Sequence, residues 1–72
     1  MKVQSDLNYI PSLGYRTRVR LIRKGHAKCG QTGVVVAALP NPSKLPEKQW
    51  YDVRFEDWTY VRIPERDLAQ VA

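Results

Sequence analysis

The clearest alternation in the chain runs through Arg16-Thr-Arg-Val-Arg-Leu21. Thr17, Val19 and Leu21 fall on one side of an extended backbone, and Arg16, Arg18 and Arg20 on the other. Successive side chains of a strand point to opposite faces, so this pattern predicts a half-buried strand over about Arg16 to Arg23 with a basic outer face. A turn region from Gly25 to Gly33 follows. Val34 to Leu39 is then a continuous apolar run, β-branched at its start and flanked by turn residues, which predicts a well-buried strand. Pro40, Pro42 and Pro46 each lack a backbone donor, so Pro40 to Pro46 is expected as an exposed, stiffened loop and not a central strand.

The last third of the chain predicts a hairpin. Tyr51, Val53 and Phe55 share one face, and Trp50, Asp52 and Arg54 the other. A two-residue loop at Glu56-Asp57 would set Phe55 opposite Trp58 and turn Val61 and Ile63 to the wrong face. A three-residue loop, Glu56-Asp57-Trp58, sets Phe55 opposite Thr59 and keeps Thr59, Val61 and Ile63 inward with the first apolar set. A slip of one residue flips every side chain, so the longer loop is expected. In that register Arg54 faces Tyr60 and Asp52 faces Arg62 on the outer surface. Pro64-Glu-Arg-Asp-Leu68 predicts one helical turn, and Ala69 to Val71 a short final strand. The sum is an all-β small barrel of about five short strands, with a single helical turn before the last strand. It should occupy residues 15–72, after an extension of residues 1–14 partly ordered by Leu7, Tyr9 and Ile10. Closure of the barrel would remove the edges that an open meander leaves bare.

Size and charge then narrow the function. A chain of 72 residues makes one domain with a thin core, burying roughly 60% of its unfolded surface. The lone Cys29 cannot form an internal disulfide, Met1 to Asp6 is polar and unlike a signal peptide, and no apolar run is long enough to cross a bilayer. A reduced, cytoplasmic setting without membrane insertion is expected. The net charge is +5, and it is unevenly placed. Arg16, Arg18, Arg20, Arg23, Lys24 and Lys28 lie between Gly14 and Gly30 with no acid among them, whereas acids outnumber bases from Glu47 to Asp67. Such asymmetry favours an anionic partner.

Arginines at every second position would present a row of planar guanidinium groups, each able to hold a phosphate by two parallel hydrogen bonds. Arg23, Lys24, His26 and Lys28 in the following loop would extend that row into a basic patch. The bland alternative is a solubilising face partly paired with Glu47, Glu65 or Asp67. Trp58 at the loop tip and Tyr60, beside Arg54 and Arg62, are candidates for stacking on bases. Their bland reading is ordinary cross-strand pairing of Tyr60 with Arg54 and of Asp52 with Arg62. The chain has one histidine and one cysteine, short of the four ligands of a structural zinc site. No nucleophile–base–orienter set can be assembled, and no glycine run has phosphate-loop spacing. Neither an enzyme nor a cofactor or metal is expected.

Three families share parts of this pattern. Lys24-Gly25-x-x-Lys28-x-Gly30-x-x-Gly33-x-Val35, with Cys29 as one extra residue before the second glycine, resembles the KOW motif of ribosomal and transcription elongation proteins. That resemblance spans about Arg18 to Val36 and implies an SH3-like barrel that contacts RNA or its machinery. Val19 to Lys24, Gly33 to Val36, Tyr51 to Glu56 and Glu65 to Leu68 resemble, in their order, electron-transport accessory proteins. These are the small stromal subunit of photosystem I and the variable chain of ferredoxin–thioredoxin reductase. This second resemblance implies an SH3-like barrel that docks on proteins and holds no cofactor. Plasmid-borne dihydrofolate reductase is a third SH3-like barrel. Val61-Arg-Ile-Pro64 lacks the glutamine and tyrosine of its catalytic strand, so that activity is not implied.

The expectation is therefore a binding module whose basic face meets RNA or DNA, or a ribonucleoprotein. The alternative is an accessory subunit that docks on an acidic protein surface, through the same face or the proline loop. Homo-oligomerisation is left open.

Overall fold

The computed structural model describes residues 9–71. Leu7, expected to help order the extension, lies outside them, as does Ala72. Five strands form: β1 (Arg18–Leu21), β2 (Thr32–Ala38), β3 (Trp50–Phe55), β4 (Tyr60–Pro64) and β5 (Leu68–Gln70). They make one antiparallel sheet in the order β4-β3-β2-β1-β5, a meander whose last strand returns to pair with the first. A 3-10 turn, Glu65–Asp67, precedes β5, and another, Pro46–Lys48, ends the proline loop. The all-β class, the five strands and the helical turn before the last strand are as expected. The sheet is not closed, however: β4 and β5 are its two edges and share no ladder. Among the described residues no helix is long and apolar enough to cross a membrane.

The hairpin register follows the argument from side-chain facing. Arg54 pairs with Tyr60, Asp52 with Arg62, and Phe55 N–H donates to Thr59 O at 2.9 Å around the loop Glu56-Asp57-Trp58. Thr59 is exposed instead of inward, because it sits at the loop margin with its hydroxyl turned to Asp57 Oδ1 at 2.6 Å. β1 is shorter than the alternation suggested, since Arg16 has left the extended region with φ 71° and the chain turns again after Leu21. β2 is not buried throughout. Val35 is fully buried, but a register shift between Val35 and Ala37 breaks the ladder to β3, and Ala37 and Ala38 are exposed. A bulge of this kind bends its strand and leaves the residues beyond it facing water.

The core is Val19 and Leu21 of β1, Val35 of β2, Tyr51, Val53 and Phe55 of β3, Ile63 and Leu68, with Leu13 from the N-terminal segment. Gly33 lies opposite both Val19 and Phe55, and a Cβ there would stand 2.6 Å from Arg54 O and 2.8 Å from Val53 Cγ1. Glycine is thus what lets β2 approach β3 this closely.

Of the residues expected to order the N-terminal segment, Tyr9 does so, its hydroxyl donating to Gln49 Oε1 at 2.8 Å, and Ile10 does not. Ile10 is exposed, whereas Leu13 is buried and its N–H donates to Tyr51 Oη at 3.2 Å. Tyr51 in turn donates to Glu65 Oε1 at 2.7 Å. Burial pushes this phenol above its ordinary value, and the carboxylate it faces adds to the shift. Gln49 is fully buried and polar, and every group of its amide is used. Its Nε2 donates to Leu39 O and Trp50 O, each at 2.9 Å, and its Oε1 accepts from Tyr9 Oη at 2.8 Å and Asn41 Nδ2 at 3.3 Å. One amide therefore ties the proline loop, the start of β3 and the N-terminal segment together. A fully satisfied buried network of this sort rigidifies a unique arrangement.

Candidate functional site: a basic and aromatic sheet face

Residues paired across strands share a face, so the register itself assembles a surface. Arg18 of β1 pairs with Val34 of β2, Val34 with Arg54 of β3, and Arg54 with Tyr60 of β4. This row crosses four strands on the side away from the core. Arg20 lies beyond it, paired with Thr32 on one side and Ala69 on the other. Tyr15, Arg16, Arg18, Val34, Val36 and Arg54 line one shallow depression, and an adjoining one shares Arg18, Val34 and Arg54 with it and runs on to Glu56. The floor is valine, and the walls are guanidinium and aromatic rings.

The two rims are shaped by unusual backbone. In the hairpin loop, Trp58 N–H donates to Phe55 O at 2.9 Å and Trp58 takes φ 68°. Three-residue hairpin loops place a left-handed residue there, ordinarily glycine. A left-handed conformation costs an L-residue roughly 1–2 kcal/mol, and for a bulky one it is a true outlier. The indole so placed is 69% exposed, with the Arg54 guanidinium 4.4 Å from its ring centroid. At the other rim, Thr17 N–H donates to Gly14 O at 3.1 Å and closes a turn in which Arg16 is left-handed. The Arg16 guanidinium lies 5.5 Å from the ring of Tyr15, which is 71% exposed. Pairs of this kind contribute about 0.5–1 kcal/mol at exposed sites.

Arg16, Arg18 and Arg20 are all exposed, as the alternation predicts. Among the described residues, no carboxylate stands within salt-bridge distance of them or of Arg54. The other cations expected in the patch are placed differently. Arg23 pairs with Asp67 at 3.3 Å, Lys28 with Asp57 at 2.8 Å, and Arg62 with Asp52 at 3.1 Å. The Lys28 ammonium also sits 5.4 Å from the Phe55 ring centroid. Its hydrogen bond to Asp57, helped by Thr59, holds that carboxyl well below the usual carboxylate range. Lys24 and His26 line a separate concavity with Arg23, Arg62 and Trp50. His26 Nδ1 accepts from Lys28 N–H at 3.0 Å, which folds the loop on itself.

The expected single basic patch is therefore two surfaces. β1 ends at Leu21, and the loop that follows, with Gly25 and Gly30 both at positive φ, ends the alternation that makes the arginine row. Tyr15, Val34 and Val36 belong to the first surface and were not among the expected residues. Tyr15 had one visible signal, its place between Gly14 and the first arginine of the alternating run. The valines had none, because a continuous apolar run does not show which of its alternate residues face outward. Among the described residues no group of three His, Cys, Asp or Glu side chains is gathered in the way a metal site needs. Comparison with protein-family models, characterised proteins and solved structures finds no match to this chain, so a reading of the surface rests on its own geometry.

Proposed function

We propose that this chain is a nucleic-acid-binding module and that the outer face of β1, β2 and β3 is its interface. The observation that carries the reading is the row of arginines, Arg16, Arg18 and Arg20 exposed and Arg54 half-buried, without a carboxylate partner among the described residues. In a protein that pairs Arg23, Lys28 and Arg62 with aspartates, unpaired guanidinium groups on one sheet face are available to phosphate. Affinity for RNA and DNA should fall steeply with salt, because each neutralised phosphate releases counterions. A filter-binding series at two salt concentrations tests this. Flat or absent binding defeats it.

A second reading is docking on an acidic protein surface, as an accessory subunit of a larger complex. It is favoured by the concavity around Trp50, an aromatic residue 42% exposed and ringed by Arg23, Lys24, His26 and Arg62. A partner that co-purifies after nuclease treatment, and that is lost on Trp50→Ala, supports it. A pull-down that nuclease strips bare removes it.

A further inference from the structure

The nucleic-acid reading says nothing about strandedness, but the rims of the face do. We infer that the interface takes a single strand, with unpaired bases stacked on Trp58 and Tyr15 and the backbone held by the arginines between; this rests on the proposed nucleic-acid function. Three observations converge. The described residues contain three non-glycine residues with positive φ, Arg16, Lys44 and Trp58, and two of them flank this one face. At both, a conformation that glycine adopts freely is imposed on a larger side chain, and the outcome in each case is a guanidinium set against an exposed ring. Local strain of this kind persists where a site demands it.

The second observation is the state of the rings. Arg54 covers one side of the Trp58 indole, at 4.4 Å, and the residue is still 69% exposed. The indole is oriented by the cation and has surface left for a partner. Tyr15 repeats the arrangement beside Arg16, and Tyr60, exposed, continues the row past Arg54. The third is the floor, Val34 and Val36, which offers no hydrogen bond to a phosphate or sugar.

A duplex cannot use these features. Its bases are already stacked, so it offers phosphates and groove edges to the arginines but no free ring face to Trp58 or Tyr15. A single strand has free π-faces, and aromatic platforms interleaved with cations hold it with little regard to sequence. The valine floor then excludes water beneath the splayed bases.

The test is fluorescence anisotropy of the whole chain, at low salt, with four labelled probes. These are a short single-stranded RNA, the same sequence as single-stranded DNA, its duplex, and an abasic strand of equal length. The expected result is single strands bound more tightly than the abasic strand by about 5- to 150-fold for each stacked base. The duplex, which offers phosphates but no free base faces, should bind less tightly than either single strand. Trp58→Gly should lose one such factor on the single strands alone. It should melt no lower than the parent, because glycine suits the left-handed position. Tyr15→Ala provides a second variant outside the hairpin, with the same expectation for binding. Equal affinity for all four probes overturns the single-strand inference and leaves the nucleic-acid function standing. Absence of binding to every probe overturns both. A single-strand preference that neither variant reduces removes the stacking role of the two rings.

Discussion

Two sets of cations on this small sheet are treated in opposite ways. In one, Arg23, Lys28 and Arg62 each meet an aspartate, and the neighbouring loop is tied down by the buried amide of Gln49. In the other, Arg16, Arg18, Arg20 and Arg54 meet no carboxylate among the described residues, and the backbone at both rims is left-handed. Three cations of the first set are paired, while Lys24 beside Arg23 and Arg62 has no carboxylate within salt-bridge distance among the described residues. In the second, Arg16 and Arg54 are set against Tyr15 and Trp58, and both rings keep exposed surface. What separates a solubilising face from a docking face here is the distribution of acids, since arginine and lysine occur on both.

The comparison can be broken most forcefully in the unpaired set. Arg18→Glu with Arg20→Glu should weaken nucleic-acid binding by about a hundredfold at low salt, because two phosphate contacts become repulsions. The melting temperature should hardly move, as both side chains project from β1 into water. Unfolding of the double variant would show that the face assignment fails.

The opposite result is expected from Gln49→Ala. Removing a buried amide that serves Leu39 O, Trp50 O and Tyr9 Oη leaves these groups unsatisfied, at about 1–3 kcal/mol for each one that water cannot reach. Thermal melting should fall clearly, while affinity per folded molecule stays unchanged. Gly33→Ala lies between the two cases. Its Cβ would press on Arg54 O, so β2 and β3 must part at a cost of roughly 1–3 kcal/mol. Both melting and binding should suffer, since Arg54 moves with its strand.

The smallest effect concerns Asp57. Its carboxyl is held below the ordinary range by Lys28, so protonation is harder in the folded chain than in the unfolded one. The Lys28–Asp57 contact is then fully present above an unfolded pKa of about 3.9 and is lost as pH falls through the lower folded value. Amide exchange at Thr59, whose N–H donates to Asp57 Oδ1 at 3.2 Å, should be pH-insensitive in protection near neutrality and should lose protection only in strong acid. Loss of protection already near neutral pH would contradict the assignment.

Much of this architecture was legible in the chain, and the limits follow from physics. The period-two alternation of β1 and the facing argument for the β3–β4 loop are local, so both could be read directly. Leu13 and the Tyr9–Gln49 contact could not, because their partners lie 38 and 40 residues away in sequence and leave no periodic trace nearby. The site was half legible for the same reason. Alternation shows that Arg18 and Arg20 point outward and the register pairs Asp52 with Arg62, but only the folded chain gives Asp67 to Arg23 and Asp57 to Lys28. The left-handed Trp58 was hidden too: loop length could be argued from register, whereas the residue's φ depends on the turn that closes it.

The central claim is that unpaired, not merely numerous, cations make the interface. It is tested most directly by comparing the salt dependence of single-strand binding in two neutralised variants of equal net charge. One carries Arg16→Gln, Arg18→Gln and Arg20→Gln, and the other Arg23→Gln, Lys28→Gln and Arg62→Gln. The slope of log affinity against log salt should drop by about 2 in the first, near 0.7 for each phosphate contact removed, and stay close to the parent in the second. Equal slopes in the two variants, or a larger loss in the second, would contradict the account.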